Sequence, residues 1–248
     1  MATYKKRANK KAETAKQTES TTEEVFSSLD TTAGRAEGWV SKNQQIILST
    51  ILGIVVIVLG YLAYRNFMVL PKSEEANNEM FQAQKYLDQG LADESQKDSL
   101  FNLALNGGEG KYGFLDIIEN YSGTDAANLS EYHAGMIYLQ LKKFELAIDH
   151  LEDFNSVDPV LQSLALGGIG DAFSELDQQK DALDYYKKAL NFSDNSLTKP
   201  RFLRKAGLVA LDLGSLQLAS EYFTELKDEF KDSPEAKHVD ALLGMAQN

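Results

Sequence analysis

The residues able to carry chemistry are few and scattered. His133, His150 and His238 are the only imidazoles in 248 residues, and there is no cysteine. Without thiols, disulfides, thiolate metal sites and Cys nucleophiles are excluded together. Histidines so far apart lack the ligand spacing of a zinc site. His133 and His150 fall in helical patterns with no nucleophile motif beside them. Gly108-Glu109-Gly110-Lys111-Tyr112-Gly113 has the spelling of a dinucleotide fingerprint. That fingerprint needs a strand before it and a βαβ unit around it. The preceding stretch DSLFNLALN is helical in pattern, so the glycines read as a connection between helices. A phosphate-binding loop is excluded as well, because Tyr112 follows Lys111 and Leu105 stands where its first glycine would be. Acidic pairs such as Glu152 and Asp153 read as solvated helix faces. Asn120, Asn128 and Asn191 head three matches to the glycosylation pattern, which read as chance in a chain bearing this much Ser and Asn. The expectation is a non-enzyme with no catalytic residue, no metal ligand, no cofactor and no small-molecule substrate.

The charge points the same way. Lys and Arg number 25 against 37 Asp and Glu, a net charge of −12, which repels phosphate backbones and excludes nucleic acid as a partner. The charge is unevenly spread. Residues 1–45 hold eight basic and six acidic residues, whereas residues 66–248 hold 16 basic and 31 acidic ones. The head is almost free of apolar residues as far as Glu24 and is expected to be disordered over 1–45. Val25, Phe26 and Leu29 make one small apolar cluster in it.

Between head and body lies IILSTILGIVVIVLGYLAY, residues 46–64, with no charge in 19 positions. As a helix it is about 28 Å long at ~1.5 Å per residue, enough to span a hydrocarbon core. Ile46 and Tyr64 bound it, and Gly53 and Gly60 are small positions that allow close helix contact. Trp39 on one side and Tyr61 and Tyr64 on the other suit the two interfacial aromatic belts. The run is longer than a signal-peptide core and lacks a clear cleavage site, so an uncleaved anchor is expected. A short basic head and a long acidic body favour the head in the cytoplasm and the body outside.

Beyond the span, Pro71 is expected to stop the helix and Ser73 to cap the next. The apolar period then predicts an all-α body over 72–248, with helices at 74–89, 95–106, 111–121, 125–141, 143–155, 159–176, 179–191, 198–213, 215–230 and 234–246. A repeat runs through it. Gly135, Gly170 and Gly207 are 35 and 37 residues apart. Three residues after each come Tyr138, Phe173 and Ala210; twelve after, Ala147, Ala182 and Ala219; sixteen after, Leu151, Tyr186 and Phe223. This pattern resembles the tetratricopeptide repeat, a helix-turn-helix of about 34 residues. It is clear over 128–233 and degenerate over 74–121. The resemblance implies a helical solenoid whose first helices line a concave face. On that face the register puts Leu129, Tyr132, Met136 and Leu139, then Asp171, Ser174 and Glu175, then Arg201, Arg204 and Leu208. These residues are either a partner-binding groove or packing for the next repeat. The Lys and Asn residues of a carboxylate clamp are absent.

A short head, one span and such a body resemble the YfgM-like ancillary subunits of the bacterial Sec translocon. Trp39-Val40-Ser41-Lys42-Asn43 looks like the amphipathic approach to the membrane in that family, and KYGFLDIIENYSGTDAANLSEYHAGMIYLQLKKFELAIDHL is similar to its core. The resemblance implies a bacterial inner-membrane protein with a periplasmic repeat domain. Its implied partners are SecYEG, a PpiD-like membrane-anchored chaperone and translocated clients. Two rivals use the same fold: a scaffold for envelope assembly or cell division, and an organelle import receptor with its body in the cytosol.

Overall fold

The computed structural model describes residues 38–192 and 194–247. The head residues 1–37, with the Val25, Phe26 and Leu29 cluster, lie outside the described residues. The chain divides into two units, Met1–Asn66 and Phe67–Asn248.

In the first unit, helix α1 covers residues 38–64. It begins before the apolar run, so residues 38–45, expected to belong to a disordered head, are helical. Its side-chain polar groups fold back on the helix. Ser49 Oγ donates to the Ile46 carbonyl at 2.9 Å, Thr50 Oγ1 to the same oxygen at 2.8 Å, and Asn43 Nδ2 to the Trp39 carbonyl at 2.8 Å. The helix is long and apolar enough to cross a membrane, and none of its apolar window is buried. Ile57 is 72% exposed, and a Cβ added at Gly53 or Gly60 would meet nothing.

Arg65–Val69 form a π-helical turn, followed by α2 (Leu70–Ala92). Pro71 is therefore not a helix stop, and Ser73 is not a cap. Pro71 is the second residue of α2 and follows directly on the π-helical turn, whose last residue Val69 has right-handed helical dihedrals (φ −78°, ψ −50°). The body continues with α3 (Lys97–Asn106), α4 (Phe114–Asn120), α5 (Asp125–Gln140), α6 (Phe144–Asp153), α7 (Pro159–Glu175), α8 (Gln179–Phe192), α9 (Lys199–Asp212), α10 (Leu216–Glu229) and α11 (Val239–Ala246). There is no strand among the described residues, only an isolated bridge between Gly108 and Lys111.

The caps show why the helices begin where they do. Thr124 Oγ1 accepts from the Ala127 amide at the start of α5. Asp158 Oδ1 accepts from the Val160 and Leu161 amides at 2.8 and 3.0 Å, with Pro159 in the first turn of α7. Besides α2, two starts differ from the sequence reading by more than two residues. Helix α4 opens at Phe114 rather than 111, because Glu109 (φ 55°) and Gly110 (φ 74°) form a tight left-handed turn closed by mutual hydrogen bonds between Gly108 and Lys111. Gly113 then caps α4, its amide donating to Asp116 Oδ2 at 3.0 Å. The last helix is split, with a 3-10 turn over Pro234–Ala236 and His238 at φ 66° ahead of α11.

Consecutive helices pair, and the interior is a chain of clusters rather than one core. Met80, Phe101, Phe114, Ile117 and Ile137 form the first; Leu151, Phe154 and Ile169 the next; Tyr186, Phe202 and Val209 the third; Leu203, Phe223, Leu226 and Val239 the last. Each cluster is built from four or five successive helices, so the interior stays local along the chain, as in a quasi-one-dimensional solenoid.

Candidate functional site: a groove lined by the repeat helices

The repeat register has a direct physical meaning. A Cβ added at Gly135 would lie 2.5 Å from Leu151 Cγ, at Gly170 2.6 Å from Tyr186 Cε1, and at Gly207 2.4 Å from Phe223 Cε1. In each pair the residue sixteen positions later lies on the glycine. In the first two pairs the aromatic three after the glycine stacks on the residue just before that contact. Tyr138 lies on His150 with ring centroids 5.3 Å apart, and Phe173 on Tyr185 at 5.4 Å. Ala147, Ala182 and Ala219 are fully buried where the second helix enters.

A different pair of glycines brings the first helices of successive repeats together. A Cβ at Gly167 would lie 1.9 Å from Phe202 Cε1 on α9. One at Gly168 would lie 3.0 Å from Leu151 Cδ1, 3.2 Å from Leu139 Cδ1 and 3.4 Å from Met136 Sδ. Helix α7 thus carries α9 on one side and α5 on the other. The groove between them has a volume of about 530 Å³ and a floor built by Met136, Leu139, Leu164, Gly167, Gly168 and Phe202.

Polar residues complete the walls. Asp171 binds Lys205 Nζ, and Tyr186 Oη donates to Asp171 Oδ1 at 2.7 Å. Burial, with the Asp171 carboxylate second, drives the Tyr186 phenol well above its ordinary value, so it remains a donor. Lys142, Ser174, Glu175 and Arg201 line the same groove. Lys142, Glu175 and Arg201 are exposed.

Of the residues expected to bind a partner, the structure brings Met136, Leu139, Asp171, Ser174, Glu175 and Arg201 together. It does not bring Leu129, Tyr132, Leu208 or Arg204. Leu129 packs on the first cluster and Leu208 on the last. Tyr132 lies against Phe154, centroids 5.2 Å apart, and burial raises its phenol pKa. Arg204 Nη1 donates to the Glu235 carbonyl at 3.1 Å and holds the 3-10 turn. Each of these four points to the side of its helix that meets the neighbouring helix. Lys142, Leu164, Phe202 and Lys205 line the groove without having been singled out in the sequence. The signal available for this face was LGGIG at 166–170, because three glycines in a helix interior are unfavourable unless something must come close.

His133 and His150 are held by contacts within the helix pairs. His133 stacks on Phe114 with centroids 5.0 Å apart, and burial holds its pKa below the usual imidazole range. His150 Nδ1 lies 2.6 Å from Glu131 Oε2. Among the described residues no group of three or more acidic or imidazole side chains is placed to hold a metal. Asn128 is taken up by a reciprocal pair with the Asn155 backbone, at 2.9 and 3.1 Å.

The fold and groove define an all-α chain, with one long apolar helix followed by tetratricopeptide-type helix pairs. The tetratricopeptide repeat family matches residues 132–160, which run from the middle of α5 through α6 into α7. Comparison with curated proteins finds no match. A protein–protein interaction module is the function class that this repeat carries.

Proposed function

We propose that this chain is a non-enzymatic, membrane-anchored adaptor of the bacterial SecYEG translocon. In this reading α1 crosses the inner membrane, the head is cytoplasmic and the repeat body is periplasmic. There the body recruits a PpiD-like anchored chaperone and handles translocated proteins. The observation that carries the adaptor reading is the groove between α5, α7 and α9, whose apolar floor and charged walls suit a segment of another protein. The membrane reading is supported by the uncharged run 46–64, whose apolar side chains, Ile47 apart, are exposed among the described residues. The translocon reading draws its support from the resemblance of 39–43 and 111–151 to YfgM-like subunits. Tethering raises the local concentration of a partner, so each contact need only be weak.

Full-length protein purified in mild detergent is expected to bring SecYEG components with it. Replacing residues 46–64 with an unrelated span should reduce that enrichment. Migration of the intact protein without any Sec component would overturn the translocon reading in favour of an envelope scaffold. Protease added to spheroplasts should digest the body. A protected body would reverse the topology and favour an organelle receptor.

A further inference from the structure

The groove reverses the sign of the surface around it. Residues 66–248 hold nearly two acidic side chains for each basic one, 31 against 16. The groove wall holds Lys142, Arg201 and Lys205 against Asp171 and Glu175. Lys205 and Asp171 neutralise each other. That leaves two exposed cations, neither of which forms an ion pair among the described residues, against one exposed anion. Arg201 also stands in the first turn of the 14-residue α9, a turn with no acidic side chain, at the positive end of the helix dipole. The positive wall borders an apolar floor of Met136, Leu139, Leu164 and Phe202.

We infer that the groove takes an acidic–apolar segment of a partner protein: a side-chain carboxylate set against Arg201 and Lys142, flanked by a bulky apolar side chain on the Met136–Leu139 floor. The inference rests on the adaptor reading and adds the chemistry of the bound segment. An apolar side chain alone would use only the floor. The cations give the site its sign selectivity, since a like charge there is repelled and an opposite one is drawn in. In a body of net negative charge, a local positive wall also steers an acidic segment to this groove rather than to the convex face.

The test uses the full-length chain in phosphatidylcholine nanodiscs. The probes are labelled, acetylated and amidated peptides of alternating Leu and Glu, Leu and Gln, Leu and Lys, or Ser and Glu. The Leu/Glu peptide should bind most tightly and loosen as salt is added. The Leu/Gln peptide should bind about tenfold more weakly, from two exposed charge contacts. The double variant Lys142→Gln with Arg201→Gln should lower Leu/Glu binding to the Leu/Gln level, and an unchanged unfolding midpoint will show that it folds. Glu175→Gln should tighten Leu/Glu binding by about twofold, because it removes the opposing charge. Ser/Glu should lose most of its binding with the floor unused. Equal binding of Leu/Glu and Leu/Gln, preference for Leu/Lys, or no peptide binding at all would each overturn the inference. None of these results touches the adaptor reading, which fails separately if the intact protein brings no partner from the membrane.

Discussion

The α5–α10 region and the α2–α4 region solve the same packing problem in different ways. In the first, a mid-helix glycine receives a side chain sixteen residues later, three times over: Leu151 on Gly135, Tyr186 on Gly170 and Phe223 on Gly207. In the second, the close approach falls at the end of a helix. A Cβ on Gly90 would lie 2.7 Å from Phe101 Cδ1, only eleven residues on, and the middle of α2 meets its neighbours through Ala76, Met80 and Ala83. Both regions bury large aromatics, Phe101 and Phe114 in one and Phe202 and Phe223 in the other. Close helix approach is therefore the physical requirement, and the glycine spacing is only one way to meet it. A constant spacing makes successive pairs alike, so that they stack and form a continuous groove. The family match at 132–160 lies inside the region with constant spacing.

Substitutions can break this comparison, and the largest effects should come from the aromatics. Phe223→Ala and Phe101→Ala each remove a fully buried ring and should cost about 3–5 kcal/mol, similar in the two regions, as read by chemical unfolding. A far smaller cost for Phe101→Ala would mean that the α2–α4 region is loosely packed. Next comes Gly170→Leu, which forces a side chain into the Tyr186 ring and should cost about 1–3 kcal/mol. An unchanged melting temperature would refute the repeat register.

A double-mutant cycle sharpens the contrast further. Gly170→Ala and Tyr186→Leu should couple by about 0.5 kcal/mol or more, because the smaller side chain leaves room for the new methyl. Gly90→Ala and Tyr186→Leu should be additive, since they lie in different clusters.

The smallest effect is electrostatic. Burial against Phe114 depresses the His133 pKa, so the unfolded chain takes up a proton that the folded chain refuses. The stability from this group is present above the ordinary imidazole pKa of about 6.5 and is lost as pH falls below it. His133→Phe should flatten the loss of stability between neutral and mildly acidic pH. An unchanged slope would show that His133 does not couple folding to protonation.

Much of the helix pattern was legible in the sequence. Helix α5 was expected over 125–141 and covers 125–140; α7 over 159–176 and covers 159–175; α9 over 198–213 and covers 199–212. Those bounds follow from local chemistry: Thr124 and Asp158 cap the starts of α5 and α7, and each of the three helices ends in a Leu followed by a left-handed residue, Lys142, Asp177 or Gly214. Three misreadings also have local causes. Pro71 can begin a turn as well as end one, the left-handed turn at Glu109 and Gly110 delays α4, and His238 takes a positive φ that its residue type does not announce.

The sequence by itself determined the class of the molecule: an uncharged run long enough to span a bilayer, no thiols, dispersed histidines, and a glycine–alanine–aromatic spacing that only paired helices satisfy. Each of these depends on residues close together in the chain or on a fixed offset between them. Tertiary structure decided which side of each first helix is free. Tyr132 and Met136 are a single turn apart on α5, yet Tyr132 packs on Phe154 and Met136 opens to the groove. Leu139 Cδ1 and Met136 Sδ lie 3.2 and 3.4 Å from where a Cβ on Gly168 would sit, and Phe202 closes on Gly167 from α9. Such distances depend on side chains from three helices at once, and no spacing along one of them encodes the result.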